Sequence, residues 1–255
     1  AADHRATAQL MDRLIYTALT GLQRTQEAQT VTAHNLANLS TPGFRKEMSL
    51  LSAGWLVGDP ESQSARVQSG GEASMDLLSP GRIEATGRPL DVAMDGNAWL
   101  AVADDRGAPA LTRRGDLSVD PNGRLVTGDN HAVLDESGTP VQIPADFSSL
   151  RIGRDGTLEI LPPDEVTWAP VGRLLLQSPP PETMSRGVDG LFRSTENEQD
   201  QQATLRTGAL ERSNMEAAEA LVELIQQSRM FEMQTKLVTA AREMDEAGAT
   251  LMRVE

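Results

Sequence analysis

From Met11 onward, the positions Met11, Ile15, Ala18, Leu22, Thr25, Gln29, Thr32, Leu36 and Leu39 recur at alternating steps of four and three, the spacing of one face of a long helix. That face is only half apolar. Near the other end Met230, Met233, Leu237, Ala240, Met244, Ala247 and Leu251 keep the same alternation, and Leu221, Leu224, Ile225 and Phe231 carry a neighbouring stripe upstream. Ser213-Asn214-Met215-Glu216 has the order of a capping box, in which the serine hydroxyl accepts from the Glu216 N–H and the glutamate reaches back. The second helix is therefore expected to begin close to Ser213.

Between the helices the period falls to two. Short β-type runs at 82–86, 90–94, 98–103, 117–119, 124–127, 141–143, 157–160 and 173–177 are separated by turn signals such as Asp95-Gly96-Asn97, Asp120-Pro121-Asn122-Gly123, Ser137-Gly138 and Asp155-Gly156. Many short strands joined by tight turns indicate an antiparallel β domain. Residues 58–74 have almost no large apolar side chain and read as a linker, as do the consecutive prolines at 179–181.

A lone helix gains little from propensity, because most helical stability comes from packing an apolar face. The two helices therefore need each other. The expected fold is α+β: long N- and C-terminal α-helices pairing as a coiled-coil-like layer, with a central antiparallel all-β domain inserted between them. In segments, this reads as an N-terminal helical part over 1–45, an extended linker over 46–80, the β domain over 81–190, a return linker over 191–212 and a C-terminal helical part over 213–255.

Charge and composition narrow the partners. The 255 residues include 37 acidic and 23 basic side chains, a net charge of −14, which disfavours nucleic acid and anionic membrane. No run of about eighteen apolar residues is present, and the N-terminus lacks the basic-then-apolar order of a secretory signal. Neither direct membrane insertion nor a cleavable signal peptide is expected. The chain has no cysteine, which removes disulfides, thiol nucleophiles and thiolate metal sites. Its three histidines, His4, His34 and His131, lack a spaced second ligand, and the 3% aromatic content leaves little for stacking platforms.

The chemistry candidates do not hold up. Asp120-Pro121-Asn122-Gly123 opens like a calcium loop, yet Arg124, Leu125 and Val126 follow and no glutamate stands at the twelfth position, so a hairpin turn is the better reading. The common phosphate, hydrolase and zinc motifs are missing from the sequence. No catalytic residue, cofactor or metal is expected, and the chain reads as a protein other than an enzyme.

Three stretches carry a resemblance. MDRLIYTALTG (11–21), HNLANLSTPGFRK (34–46) and GALERSNMEAAEALVELIQQSRMFEMQTKLVTAAREM (208–244) closely resemble the terminal motifs of bacterial flagellar rod and hook proteins. The run GDLSVDPNGRLVTGDNHAVLDESGTPVQIP (115–144) resembles their shared β domain, and within the family the opening and the length look most like the proximal-rod members. The family usually reads Asn-Asn-Leu-Ala-Asn where this chain has His34-Asn35-Leu36-Ala37-Asn38. Residues 1–10 lie upstream of the methionine at which such proteins usually begin, and no role is assigned to them.

The resemblance implies a structural subunit of the flagellar rod that self-assembles into a drive shaft carrying motor torque to hook and filament. Implied partners are other rod subunits, proximal and distal, copies of itself, and the flagellar type III export apparatus during secretion. The implied place is the basal body, in a rod crossing the periplasm. Implied assembly residues are Ile15, Leu22, Leu36, Ala37, Phe44, Leu210, Leu221, Leu224, Ile225, Phe231, Met233, Leu237 and Met244 as apolar contacts. Asn35, Asn38, Ser213, Asn214 and Glu216 are the polar fixtures, with Pro42 and Gly43 ending the first helix near Leu39 or Ser40. Asn35, a full turn inside the helix, is expected to bond a neighbouring chain, as buried asparagines fix register elsewhere. The alternatives are a distal-rod or hook subunit, or a secreted β-rich protein that binds or acts on cell-wall glycan.

Overall fold

A computed structural model describes residues 2–50, 73–76, 78–196 and 198–252, with side-chain environments over 18–48, 78–196, 198–244 and at 247. The chain forms two units. The first comprises Ala1–Ala37, Glu47–Leu77 and Glu216–Glu255, the second Asn38–Lys46 and Leu78–Met215.

In the first unit, helix α1 (Ala2–Ala37) and helix α2 (Ala217–Met252) lie against each other, joined by a ribbon in which β1 (Glu47–Leu50) pairs antiparallel with β2 (Ala73–Asp76). Along α1 the inward face follows the expected stripe: Ala18, Leu22, Gln29 and Leu36 are half-buried and Thr25 and Thr32 buried. Along α2 the face turned to α1 is Ala220, Leu224, Gln227, Phe231, Gln234, Val238 and Ala241, also at alternating steps of four and three.

That register overturns the expected coiled-coil-like layer. The stripe assigned to it, Met230, Met233, Leu237 and Met244, lies one residue back on the helix and is 49%, 56%, 56% and 57% exposed. Side-chain hydrogen bonds link the helices instead: Thr25 Oγ1 donates to Gln234 Oε1 at 2.9 Å, and Gln227 Nε2 donates to Thr32 Oγ1 at 2.9 Å. Alanine is too short and glutamine too polar to act as the apolar knobs that such a seam requires. The start of α2 also differs. It begins at Ala217, and Ser213 Oγ is buried without a hydrogen-bond partner, so the capping box does not form.

The second unit is antiparallel throughout its described ladders. Its strands are β3 (Ile83–Ala85), β4 (Val92–Met94), β5 (Trp99–Ala103), β6 (Pro109–Thr112), β7 (Ser118–Val119), β8 (Leu125–Val126), β9 (Ser149–Ile152), β10 (Thr157–Leu161), β11 (Ala169–Arg173), β12 (Leu176–Gln177), β13 (Met184–Arg186), β14 (Phe192–Ser194), β15 (Leu205–Thr207) and β16 (Ala209–Glu211). A five-stranded sheet runs β12-β5-β6-β14-β13 and a three-stranded one β11-β10-β9, while β15 pairs β4 and β16 pairs β3. Residues 191–212, expected as a return linker, thus supply three strands.

Period two explains why β5 is buried on both faces. Ala98, Leu100 and Val102 enter the main core with Val92, Met94, Leu117, Leu125, Val133, Leu158, Leu174 and Leu205. Trp99 and Ala101 face a second cluster with Leu111, Leu134, Leu175 and Phe192. One turn design recurs three times. Asp104, Asp120 and Asp135 each accept, through Oδ1, the N–H groups two and four residues on, at 2.8–3.0 Å. The third turn residue after each is a glycine at positive φ: Gly107 at 80°, Gly123 at 80° and Gly138 at 76°. Asp120, the calcium-loop candidate, is thereby occupied as a turn clasp.

Candidate assembly surface

The outward side of α2 carries a run of large apolar residues in solvent. Leu221, Val222 and Ile225 are 50–55% exposed, and Met230, Met233, Leu237 and Met244 follow at 49–57%. The helix thus turns a mixed face to α1 and leaves a second, apolar side without cover among the described residues. Of the other predicted contacts, Leu22, Leu36, Leu224 and Phe231 are half-buried within the unit, while Ala37 and Glu216 are exposed. Ile15 lies on α1, but its side chain falls outside the described residues.

Asn35 is buried, and its amide is used inside the chain. Nδ2 donates to Glu47 O at 2.7 Å and Oδ1 accepts from Glu47 N at 3.0 Å. The side-chain amide thus stands in for a peptide of a neighbouring strand and sets where β1 begins on α1. The amide expected to reach another chain is thus engaged within this one, and the register it fixes here is internal. Beside it, His34 Nδ1 stands 3.8 Å from Glu47 Oε2.

The Thr41-Pro42-Gly43-Phe44-Arg45 segment belongs to the second unit. α1 ends at Ala37, two or three residues before the expected stop, and the N–H of Thr41 donates to Asn38 O at 3.1 Å. Pro42 is half-buried at the turn. Gly43 has φ 69°, and a Cβ there would lie 2.2 Å from the Arg113 carbonyl, so both backbone angle and space require glycine. Its N–H donates to Glu211 O at 2.7 Å. Asn214 Oδ1 accepts from Lys46 N at 2.7 Å and its Nδ2 donates to Ser79 O at 3.0 Å, while Leu210 is half-buried opposite Glu84.

At the centre of this closure is a buried charge cluster that the sequence reading missed. Glu211 receives Arg45 Nη1 on one carboxylate oxygen and Arg113 on the other, with Nε at 2.8 Å and Nη2 at 2.7 Å. Gly81 N–H also donates to Glu211 Oε1 at 2.7 Å. The two guanidinium groups approach the Trp99 ring at 5.8 and 5.7 Å, and Arg113 donates further to the carbonyls of Met94, Gly96 and Ala98. Burial lowers the Arg113 guanidinium below its ordinary value, with Glu211 opposing that shift. Arg186 stacks at 5.0 Å on both Phe44 and Phe192 and donates to Arg45 O at 2.8 Å. One signal was available: on a strand that buries Ala209, alternation puts Glu211 on the same inward face, where a carboxylate must find a cation.

No group of histidine, aspartate and glutamate suited to a metal occurs among the described residues, and no described helix is long and apolar enough to cross a membrane. Comparison with known proteins covers both ends and the middle. Residues 15–45 match the family profile of flagella basal body rod proteins, 93–160 the D1 domain of flagellar hook protein FlgE/F/G, and 206–251 the C-terminal region of flagellar basal body rod FlgEFG proteins. The chain is 38% identical over 244 residues to the flagellar basal-body rod protein FlgF of Salmonella typhimurium, covering 91% of this chain and 95% of that one. The Escherichia coli FlgF is also 38% identical, over 90% of this chain and 94% of its own length. A flagellar basal-body rod protein FlgG, from Bacillus subtilis, is 28% identical over 91% and 96%.

Proposed function

The chain belongs to the flagellar basal-body rod protein family, and from that premise we propose that it builds the proximal rod by docking the outward face of α2 on neighbouring subunits. It is a structural subunit of the basal body, most like FlgF, and not an enzyme. Its partners include other rod components. The observation that carries the docking reading is the exposed stripe from Leu221 to Met244, whose burial in an assembly would stabilise it by about 25 cal/mol for each Å² of apolar surface covered.

On this reading, copies of the chain and its rod neighbours stack to transmit torque between motor and hook, in a rod that crosses the periplasm. The subunit reaches that place through the flagellar type III export apparatus. The second unit has its turns clasped and carries its own core. Expression of a chain lacking residues 216–255 in a strain without the native protein tests the proposal. Rod completion and swimming should both be lost while the truncated chain accumulates normally. Normal swimming of that strain would end the assembly reading.

A further inference from the structure

We propose that Met230, Met233 and Met244 form an oxidation site that controls entry of the free subunit into the rod, an inference that rests on reading the outer α2 face as the docking surface. The chain has no cysteine, so its sulfur chemistry falls to methionine. These three thioethers are spaced along one side of α2 with Leu237 between them, and are 49%, 56% and 57% exposed. Met94 and Met215 are buried at 0% and 6%, and Met48 on β1 is 38% exposed. Unbranched thioethers adapt to non-identical surfaces, which suits a docking face, and their exposure makes them the open targets for a peroxide.

The step balances simply. A sulfur lone pair attacks one oxygen of hydrogen peroxide, the O–O bond breaks as S–O forms, and a proton passes to the departing oxygen, which leaves as water. Sulfur loses two electrons and the peroxide takes them. The product adds no charge but replaces an apolar atom by a strong acceptor that needs a donor once buried. Because the three side chains lie away from α1, the Thr25–Gln234 and Thr32–Gln227 bonds survive, and the oxidised subunit stays folded. What it loses is an apolar surface to dock. In the finished rod the same sulfurs are covered and protected.

Two measurements test this. The purified full-length chain, treated with dilute hydrogen peroxide and mapped by peptide mass, should gain oxygen at Met230, Met233 and Met244 at least about tenfold faster than at Met94 and Met215. Equal rates overturn the proposal. In cells, the combined substitution Met230→Gln, Met233→Gln and Met244→Gln, with the polarity of the sulfoxide, should abolish swimming without changing the melting of the purified chain. Normal swimming with Gln overturns the oxidation site. Leu237→Glu separates the two readings: if it blocks swimming while the Gln variant swims, only the oxidation proposal falls, and if both swim, the docking surface falls with it.

Discussion

Glu211 holds two guanidinium groups and a backbone N–H with one carboxylate, in a place where its own side chain has no exposure. Removing one member of a buried ion cluster leaves the others charged and unpaired, which costs more than the cluster contributes over an apolar replacement. Glu211→Gln is therefore expected to destabilise the second unit by about 3–5 kcal/mol, read as a lower urea midpoint at unchanged slope. Gly43→Ala should cost at least about 2 kcal/mol in the same assay, since it combines a left-handed backbone with a Cβ pressed on Arg113. Asn35 shows how far a single residue can be read. Its place a full turn inside a helix was enough to mark it as a register device, but the partner within the chain, the backbone of Glu47, became visible only once the chain had turned through Pro42 and Gly43.

At the level of turns, the aspartate clasps tie the second unit to pH. Hydrogen bonds from Arg193 hold the Asp104 carboxyl below the ordinary carboxylate range, those from Arg124 do so for Asp120, and at Asp135 the bonds from Ser137 and Thr139 outweigh burial, which acts the other way. A carboxyl whose folded value is depressed stabilises above its unfolded value, near about 3.9, and loses that contribution as pH falls through the folded one. The second unit should therefore lose stability as pH drops below about 4. Replacing Asp104, Asp120 and Asp135 together by Asn, which keeps the accepting oxygen, should flatten that loss in acid melting curves. Two of these turns were legible, from Asp120-Pro121-Asn122-Gly123 and Ser137-Gly138, while the one from Asp104 to Gly107 was not read. The α2 stripe was legible as a stripe, but spacing defines a face without saying what covers it. Methionine and leucine suggested the inside, and Ala220, Gln227, Gln234 and Ala241 took it. Ser213 misled for a similar reason: Asn214 and Glu211 beside it are committed to Lys46, Ser79, Arg45 and Arg113, so the segment stays in the second unit and the helix starts later.

Over the whole molecule, chain order and spatial grouping disagree, because Asn38–Lys46 joins a unit otherwise made from Leu78–Met215. The boundary that matters is thus Met215, not Ser213 or the start of a return linker. A chain ending at Met215 should melt in its second unit like the full-length protein. One ending at Gly208 lacks β16 and Glu211, and its midpoint should fall by roughly 10 °C or the unit should fail to fold. The same cluster also has a meaning in time. Arg45 and Arg113 are synthesised well before Glu211, and until it arrives neither cation can leave water cheaply. Closure then joins residues from both ends of the unit, a non-local step of the kind that folds slowly. The order of synthesis therefore acts as a clock, holding the second unit open until β16 has been made.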